Sequence, residues 1–154
     1  MLGKTGQVVD FFWSYSSGGA SIFQGRLGHI YPIKKSGINV DDFCQELNLK
    51  PGLIKIDVEG AEFEVLLGMA ETAQKNKLLI HVELHSWEEM EMMKNAGMVL
   101  QWTQKVGYRM VYLRTLEDVT DAGVLAKLKR CHVLLLPTAA SLPAGIEKLD
   151  LSNL

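Results

Sequence analysis

The sequence predicts an α/β fold with a mainly parallel sheet and flanking helices. Two short apolar runs, residues 53–58 and 78–84, have the composition of buried strands. Between them, apolar side chains recur at helical spacing over residues 63–73. A strand, a helix and a second apolar strand in this order predict a right-handed βαβ unit, in which the two strands run parallel.

Shorter elements are predicted before this unit. Apolar and β-branched residues favour a strand over residues 7–13, and a proline places a short strand over residues 30–33 at a sheet edge. A helix is expected over residues 41–48, capped by Asn39 or Asp41. The chain then turns through Lys-Pro-Gly into the first strand of the βαβ unit.

Further elements are predicted after the unit. Ser86 and Glu89 form a capping box for a helix that Gly97 ends. The other elements expected are a helical segment, a strand, a weaker helix and a last strand, over residues 98–105, 108–113, 117–130 and 132–136. We expect one domain over residues 1–138 and a loosely ordered tail over residues 139–154.

The composition excludes several classes of function. A net charge of −2 at pH 7 and the lack of a basic cluster give no basis for nucleic-acid binding. No apolar run approaches the ~18 residues of a membrane span, and the first residues lack the apolar core of a signal peptide. We therefore expect a cytoplasmic protein without a membrane or nucleic-acid partner. Its two cysteines, Cys44 and Cys131, are expected to be buried, reduced thiols.

Polar side chains end both strands of the βαβ unit. Asp57 and Glu59 follow the first apolar run two residues apart, and Glu83 and His85 end the second. The carboxyl ends of neighbouring parallel strands are where open α/β sheets bind their ligands. We expect Asp57 and Glu59 to be functional, because two acids that end an apolar strand are costly unless they are used or paired. For Glu62, a structural role in the first turn of the helix is favoured.

The residues around this corner resemble a family signature. Lys-Ile-Asp-Val-Glu-Gly-Ala-Glu at residues 55–62, followed by Val-Leu-Leu-Gly at residues 65–68, is similar to the signature of the FkbM-type methyltransferases. Residues 39–43 and 82–85 resemble adjoining segments of that family, and the resemblance covers about residues 6–113. It implies an S-adenosylmethionine-dependent enzyme on a Rossmann-like fold. The family's N-terminal glycine loop has no counterpart here, so a truncated class I methyltransferase fold is expected.

The resemblance implies methyl transfer to a hydroxyl group of a small molecule or glycan. It places the corner from Asp57 to Gly60 beside the transfer cleft, where both residues would contact the cofactor. Asp57 is expected to position the reactants, with His85 or Glu83 as the base that removes the acceptor's proton. Glu59 completes this set of candidate catalytic residues.

A polar loop over residues 14–21 is a candidate for substrate binding. Ser17 and Ser21 lie in it near two glycines, whose backbone N–H groups could bind a hydroxyl or an anion. A flexible connection without a binding role is the alternative interpretation, and the composition of the loop favours it.

Two other functions stay open at this point. Asp57, Glu59, Glu83 and His85 offer oxygen and nitrogen ligands, so the same set could bind a divalent metal in a different kind of enzyme. Alternatively, the chain is a non-catalytic fragment. Without the family's first strand, the strand over residues 53–58 becomes an exposed apolar edge. This hypothesis predicts self-association through that edge.

Overall fold

The computed structural model describes residues 3–13, 20–22, 31–86 and 90–151, and it has a mixed α/β architecture with two sheets. The strands are β1 (Val8–Trp13), β2 (Ala20–Ser21), β3 (Tyr31–Ser36), β4 (Leu53–Ile56), β5 (Leu79–His85), β6 (Tyr108–Tyr112), β7 (Glu117–Asp118) and β8 (Arg130–Pro137). The α-helices are α1 (Val40–Glu46), α2 (Glu62–Leu67), α3 (Ala70–Asn76) and α4 (Met92–Val106). Two short 3₁₀ helices cover Ala122–Leu125 and Ile146–Lys148.

The larger sheet has five strands in the order β4-β5-β8-β6-β7. β4 and β5 are parallel, with Leu53 opposite Leu79 and Ile56 opposite Val82. The other three neighbouring pairs are antiparallel. β4, β5 and β6 therefore point the same way, and β8 is inserted between β5 and β6 in the opposite direction.

The prediction of a mainly parallel sheet is wrong. One neighbouring pair is parallel among the described strands, although the predicted βαβ unit itself is confirmed. The physical reason lies in the connections. β8 returns from β6 through β7 and a 3₁₀ helix, without the α-helical crossover that normally joins parallel neighbours.

The helix predicted between β4 and β5 is divided into α2 and α3. Gly68 ends α2, and the carboxylate of Asp41 accepts hydrogen bonds from the backbone N–H groups of Glu71 and Thr72, at 3.2 and 2.7 Å. Asp41 therefore satisfies donors at the start of α3 that a continuous helix would bond internally. Asn39 takes the capping role at the start of α1, where its Oδ1 accepts the backbone N–H three residues on at 2.6 Å.

α4 runs without interruption where the sequence predicts a stop at Gly97. The buried face of the helix continues past this turn, and Gly97 lies near Ala122 of the 3₁₀ helix. Ser86 lies outside α4, and its hydroxyl donates instead to two carbonyl groups that precede β8. Its partner in the predicted capping box, Glu89, lies outside the described residues. Gly107 ends the helix in the left-handed conformation, with φ 77°, as predicted.

The predicted helix over residues 117–130 is wrong. This stretch contains β7 and a 3₁₀ helix instead. The carboxylate of Asp121 accepts the backbone N–H of Gly123 at 2.9 Å, which is the local hydrogen bond of a turn. An aspartate and a glycine two residues apart favour this turn over a regular α-helix.

Residues 140–146 of the predicted tail are packed against the domain rather than loosely ordered. Ala140, Leu142 and Ile146 contact a small apolar cluster on β6 and β8, on the opposite face of the sheet from the main core. Side chains on both faces of these strands are mostly buried, because the strands lie inside the sheet and are covered on both sides. The domain boundary at residue 138 stays a prediction.

The small sheet is antiparallel, in the order β2-β1-β3. β1 confirms the strand predicted over residues 7–13, and β3 is longer than the strand predicted over residues 30–33. β3 lies at the edge of this sheet with Pro32 opposite Phe12, as the missing donor of a proline predicts.

The main core lies between the larger sheet and the four α-helices. Its members include Leu66, Ile80 and Met92, each at most 1% exposed. Cys44 and Cys131 are both buried and free, as predicted. Within the described ranges, none of the helices combines the length and the apolar character that crossing a bilayer requires.

β4 is one of the two edge strands of the larger sheet, and β7 is the other. Among the described strands, β4 pairs with β5 and with no other. Leu53 is 60% exposed at this position. The exposed apolar edge predicted from the sequence is therefore present, whereas association through it stays a prediction.

Candidate active site

The four polar side chains predicted at the strand ends lie together. His85 Nε2 is 3.5 Å from Oε1 of Glu83 and 3.6 Å from Oε1 of Glu59. One ligand atom from each of Asp57, Glu83 and His85 lies within 4.8 Å of the other two. The cause is the parallel pairing of β4 and β5, because it places the carboxyl ends of both strands at the same end of the sheet. The catalytic roles of these residues stay predictions.

The turn after β4 contains two residues in the left-handed region. Glu59 has φ 53° and Gly60 has φ 108°, a conformation that a side chain at position 60 would strain. The Gly60 N–H donates to Oε1 of Glu62 at 2.8 Å. Gly60 therefore shapes the turn, and its N–H is already bonded within the protein.

Glu62 is a carboxylate with no exposed surface at the start of α2. Its Oε1 lies 2.8 Å from Nδ1 of His85 and also accepts the Gly60 N–H. Because a carboxylate is an acceptor, we assign the proton to Nδ1 of His85, so that Nε2 faces Glu83 and Glu59. The structural role predicted for Glu62 thus goes beyond the first turn of the helix, since this side chain orients His85.

Asn95 holds the same pair of side chains from α4. Its Nδ2 donates to the carbonyl oxygen of His85 at 2.9 Å and to Oε2 of Glu62 at 3.3 Å. Asn95 is buried on a mostly apolar helix face, beside Met92 and Ala96. A role for Asn95 is not among the predictions from the sequence. An amide on an otherwise apolar face was the available signal, because buried polar groups need partners.

Two further histidines extend the polar network along the sheet. His132 of β8 lies opposite Glu83, with its Nε2 3.8 Å from Glu83 Oε2. Its Nδ1 is 3.1 Å from Nε2 of His81 on β5. Burial lowers the pKa of His81, and the neighbouring His132 lowers this pKa further. His81 is therefore paired with His132 within the sheet.

Asp57 forms the open side of the cluster. Its Oδ2 accepts a hydrogen bond from Nζ of Lys55 at 2.9 Å, and its side chain is 36% exposed. This hydrogen bond is the main reason that the pKa of Asp57 lies below its ordinary value, while burial acts in the opposite direction. Asp57 is therefore an ionised carboxylate at neutral pH that a ligand can reach.

A mostly apolar cavity of about 440 Å³ runs along β4. Its walls come from α1, from the turn that leads into β4 and from β4 itself. The cavity extends to Lys55 and Val58, and Val58 directly follows Asp57 in the chain. An apolar ring could therefore bind next to the acidic cluster.

The structure does not test the prediction that Ser17 and Ser21 bind substrate. Ser17 lies outside the described residues. The backbone of Ser21 belongs to β2, opposite Phe12, and its side chain is outside the description. Substrate binding by this loop stays a prediction.

One comparison with known proteins bears on this site. Residues 3–110 match the methyltransferase FkbM domain. The matched stretch includes β4, β5 and the five clustered side chains of Asp57, Glu59, Glu62, Glu83 and His85. No curated protein and no solved structure matches the chain.

Proposed function

Because the chain belongs to the FkbM methyltransferase family, we propose that it transfers the methyl group of S-adenosylmethionine to a hydroxyl group of a small molecule or glycan. S-adenosylmethionine is the usual cofactor of methyltransferases, and when bound it supplies an electrophilic methyl group on a sulfonium centre. The acceptor oxygen must lose a proton during the transfer. The polar cluster at the ends of β4 and β5 offers the groups for both requirements.

The topology supports a Rossmann-like interpretation of the larger sheet. β4, β5 and β6 point the same way, and α2, α3 and α4 lie in the crossovers between them. Open α/β sheets bind ligands outside the carboxyl ends of such strands. Asp57, Glu59 and His85 lie at those ends.

The described residues fit part of an S-adenosylmethionine site. The exposed carboxylates of Asp57 and Glu59 suit the ribose hydroxyl groups and the cationic groups of the cofactor, and the cavity along β4 suits its adenine ring. Gly60 would contribute through the shape of the turn, since its N–H is bonded to Glu62. The described residues contain no glycine-rich turn between a strand and a helix before β4, so these contacts are a partial set.

His85 is the stronger of the two candidate bases. Its Nδ1 is fixed on Glu62. Its Nε2 lies next to Glu83 and Glu59, in the cluster that also contains the accessible Asp57. An imidazole held in this way can take the acceptor's proton at Nε2 as the oxygen attacks the methyl group. The carboxylate of Glu83 lies 3.5 Å from His85 Nε2 and 3.8 Å from His132 Nε2. It would therefore stabilise the imidazolium that His85 becomes when it takes the proton.

The contact between His85 and the buried Glu62 carries this proposal, and cofactor binding tests it first. S-adenosylhomocysteine should bind the wild-type chain at micromolar concentration in calorimetry, which corresponds to about −8 kcal/mol. Asp57→Asn should weaken this binding, whereas Asp118→Asn at the opposite edge of the sheet should not. Absence of binding by a folded sample would contradict the proposal.

Assembly without catalysis is the second candidate function, favoured by the exposed edge of β4. Leu53 is 60% exposed there, and the strand has one partner among the described strands. An edge of this kind can pair with the same edge of a second chain. Light scattering that gives a dimer mass for the wild type and a monomer mass for Leu53→Lys would support this function. A monomer mass for both would contradict it.

A further inference from the structure

We infer that Asp57, Glu83 and His85 form a binding site for one divalent transition-metal ion, with Mn²⁺ as the ion that the ligand set fits best. One ligand atom from each residue lies within 4.8 Å of the other two. Metal–ligand bonds of about 2.0–2.3 Å place ligand atoms about 3–4.5 Å apart. The Nε2 atom of His85 is already 3.5 Å from Oε1 of Glu83. The partly exposed Asp57 needs only a small movement to complete the set.

His85 has the surroundings of a metal-binding histidine. Metal-bound imidazoles usually donate their second N–H to a carboxylate, which fixes the ring and makes the other nitrogen a better ligand. Glu62 supplies that carboxylate at 2.8 Å, and it is itself held by the Gly60 N–H and by Asn95. The ring is therefore oriented before any ion arrives.

The charges around Nε2 favour a cation. Glu83 and Glu59 place carboxylate oxygens 3.5 and 3.6 Å from this nitrogen. Glu83 is only 8% exposed, so water shields this arrangement poorly. An ion bound at Nε2 would be stabilised by these two carboxylates.

The ligand set and its surroundings indicate which ion binds. Carboxylate oxygens suit Mn²⁺ and Mg²⁺, whereas an imidazole nitrogen favours a transition ion over Mg²⁺. The buried thiol of Cys131, opposite Leu84 on β5, contacts Met92 and is not part of the set. Three protein ligands and the exposed side of Asp57 leave coordination positions open for water or a ligand oxygen.

The ion would also have a place in methyl transfer, although that role rests on the proposed function. It would lie where the acceptor hydroxyl must approach, and it would lower the pKa of that hydroxyl. With the ion bound, His85 would act as a ligand in place of its role as the base, and the proton would pass to Glu59, whose side chain is 34% exposed. Ion binding itself requires neither the cofactor nor the acceptor.

Titration with Mn²⁺ tests the site directly, with the signal of free Mn²⁺ in electron paramagnetic resonance as the readout. The wild-type chain should bind one ion without cofactor. His85→Gln and Asp57→Asn should each weaken binding at least about tenfold, and Glu62→Gln by about 10–100-fold, the usual effect of losing an outer-shell partner. Glu71→Gln on α3 is the matched control, because its side chain is exposed and outside the site, and it should bind within about twofold of wild type.

Several outcomes would overturn the site. These are the lack of one-to-one binding, equal binding by the wild type and Asp57→Asn, or displacement of Mn²⁺ by an equal concentration of Mg²⁺. Asp57 is partly exposed, so its variant should stay folded even where His85→Gln does not, and thermal unfolding of each variant checks this. Mn²⁺ binding without S-adenosylhomocysteine binding would overturn the proposed function alone. The reverse result would overturn the metal site alone.

Discussion

Nδ1 of His85 lies 2.8 Å from Oε1 of Glu62, a carboxylate without exposed surface. Glu62→Gln should therefore release the ring and lower the free energy of unfolding by about 1–3 kcal/mol, because buried partners are left imperfectly bonded. The ¹⁵N chemical shifts of the His85 ring should move from a single tautomer to a mixture. Glu64→Gln, two residues on and exposed, is the control and should change neither quantity. Unchanged ring shifts in the Glu62 variant would contradict the assigned tautomer.

The turn at Gly60 predicts a backbone effect. Gly60→Ala should destabilise the protein by about 1–3 kcal/mol, because φ 108° is accessible to glycine and strained for alanine. Gly52→Ala provides the comparison, since nothing lies within 4 Å of an added Cβ there. Urea denaturation of the two variants measures the difference. Equal stability of both would show that the turn relaxes without cost.

Tyr108 predicts a loss of stability at high pH. Its hydroxyl donates to the carbonyl oxygens of Ala73 and Leu78, and burial raises its pKa to about 12. Between pH ~10, where the unfolded tyrosine ionises, and pH 12, the unfolded state holds fewer protons than the folded state. This contribution to stability is therefore complete below pH ~10 and is lost as the pH rises to about 12.

The variant Tyr108→Phe isolates this contribution. It should be about 1–3 kcal/mol less stable at neutral pH, because two buried carbonyl groups lose a donor. Its loss of stability above pH ~10 should be shallower than that of the wild type. Tyr112→Phe, on the same strand and only half-buried, should cost less at neutral pH. Denaturation curves at several pH values from 7 to about 12 measure both effects. An equal fall in the free energy of unfolding for wild type and Tyr108→Phe would contradict the role assigned to Tyr108.

Cys131 predicts an inert thiol. Burial raises its pKa to about 12, and the thiolate is the reactive form. In a Cys44→Ser background, which leaves one thiol in the sequence, labelling by a disulfide reagent at pH 8 should occur only as fast as the protein unfolds. Labelling should become immediate in denaturant. Rapid labelling of the folded chain would contradict the burial of this side chain.

The βαβ unit could be predicted because each of its parts has a local signal. The apolar runs of β4 and β5 and the helical spacing between them are visible in consecutive residues, and the parallel pairing follows from the helical crossover. This pairing alone places Asp57, Glu59, Glu83 and His85 together. The predicted cluster therefore depended on short-range pattern and one topological rule.

Three of the missed features depend on distant partners. His132 enters the site because β8 lies beside β5, and nothing in the sequence of β8 specifies that neighbour. Asp41 divides the predicted long helix because it caps a helix some thirty residues further along the chain. Asn95 reaches Glu62 across the packing of α4 on α2. Such contacts are set by tertiary packing, which single-sequence periodicity does not record.

The insertion of β8 has a consequence for synthesis on the ribosome. β8 contributes residues 130–137, and it supplies the hydrogen bonds that join β5 to β6 in the larger sheet. While earlier segments emerge, β5 and β6 each keep an unpaired edge toward the place that β8 later fills. A nascent chain that stalls before residue 130 would expose two unpaired, apolar strand edges with which other chains could aggregate. The larger sheet can therefore be completed only after Pro137, the last residue of β8, has been translated.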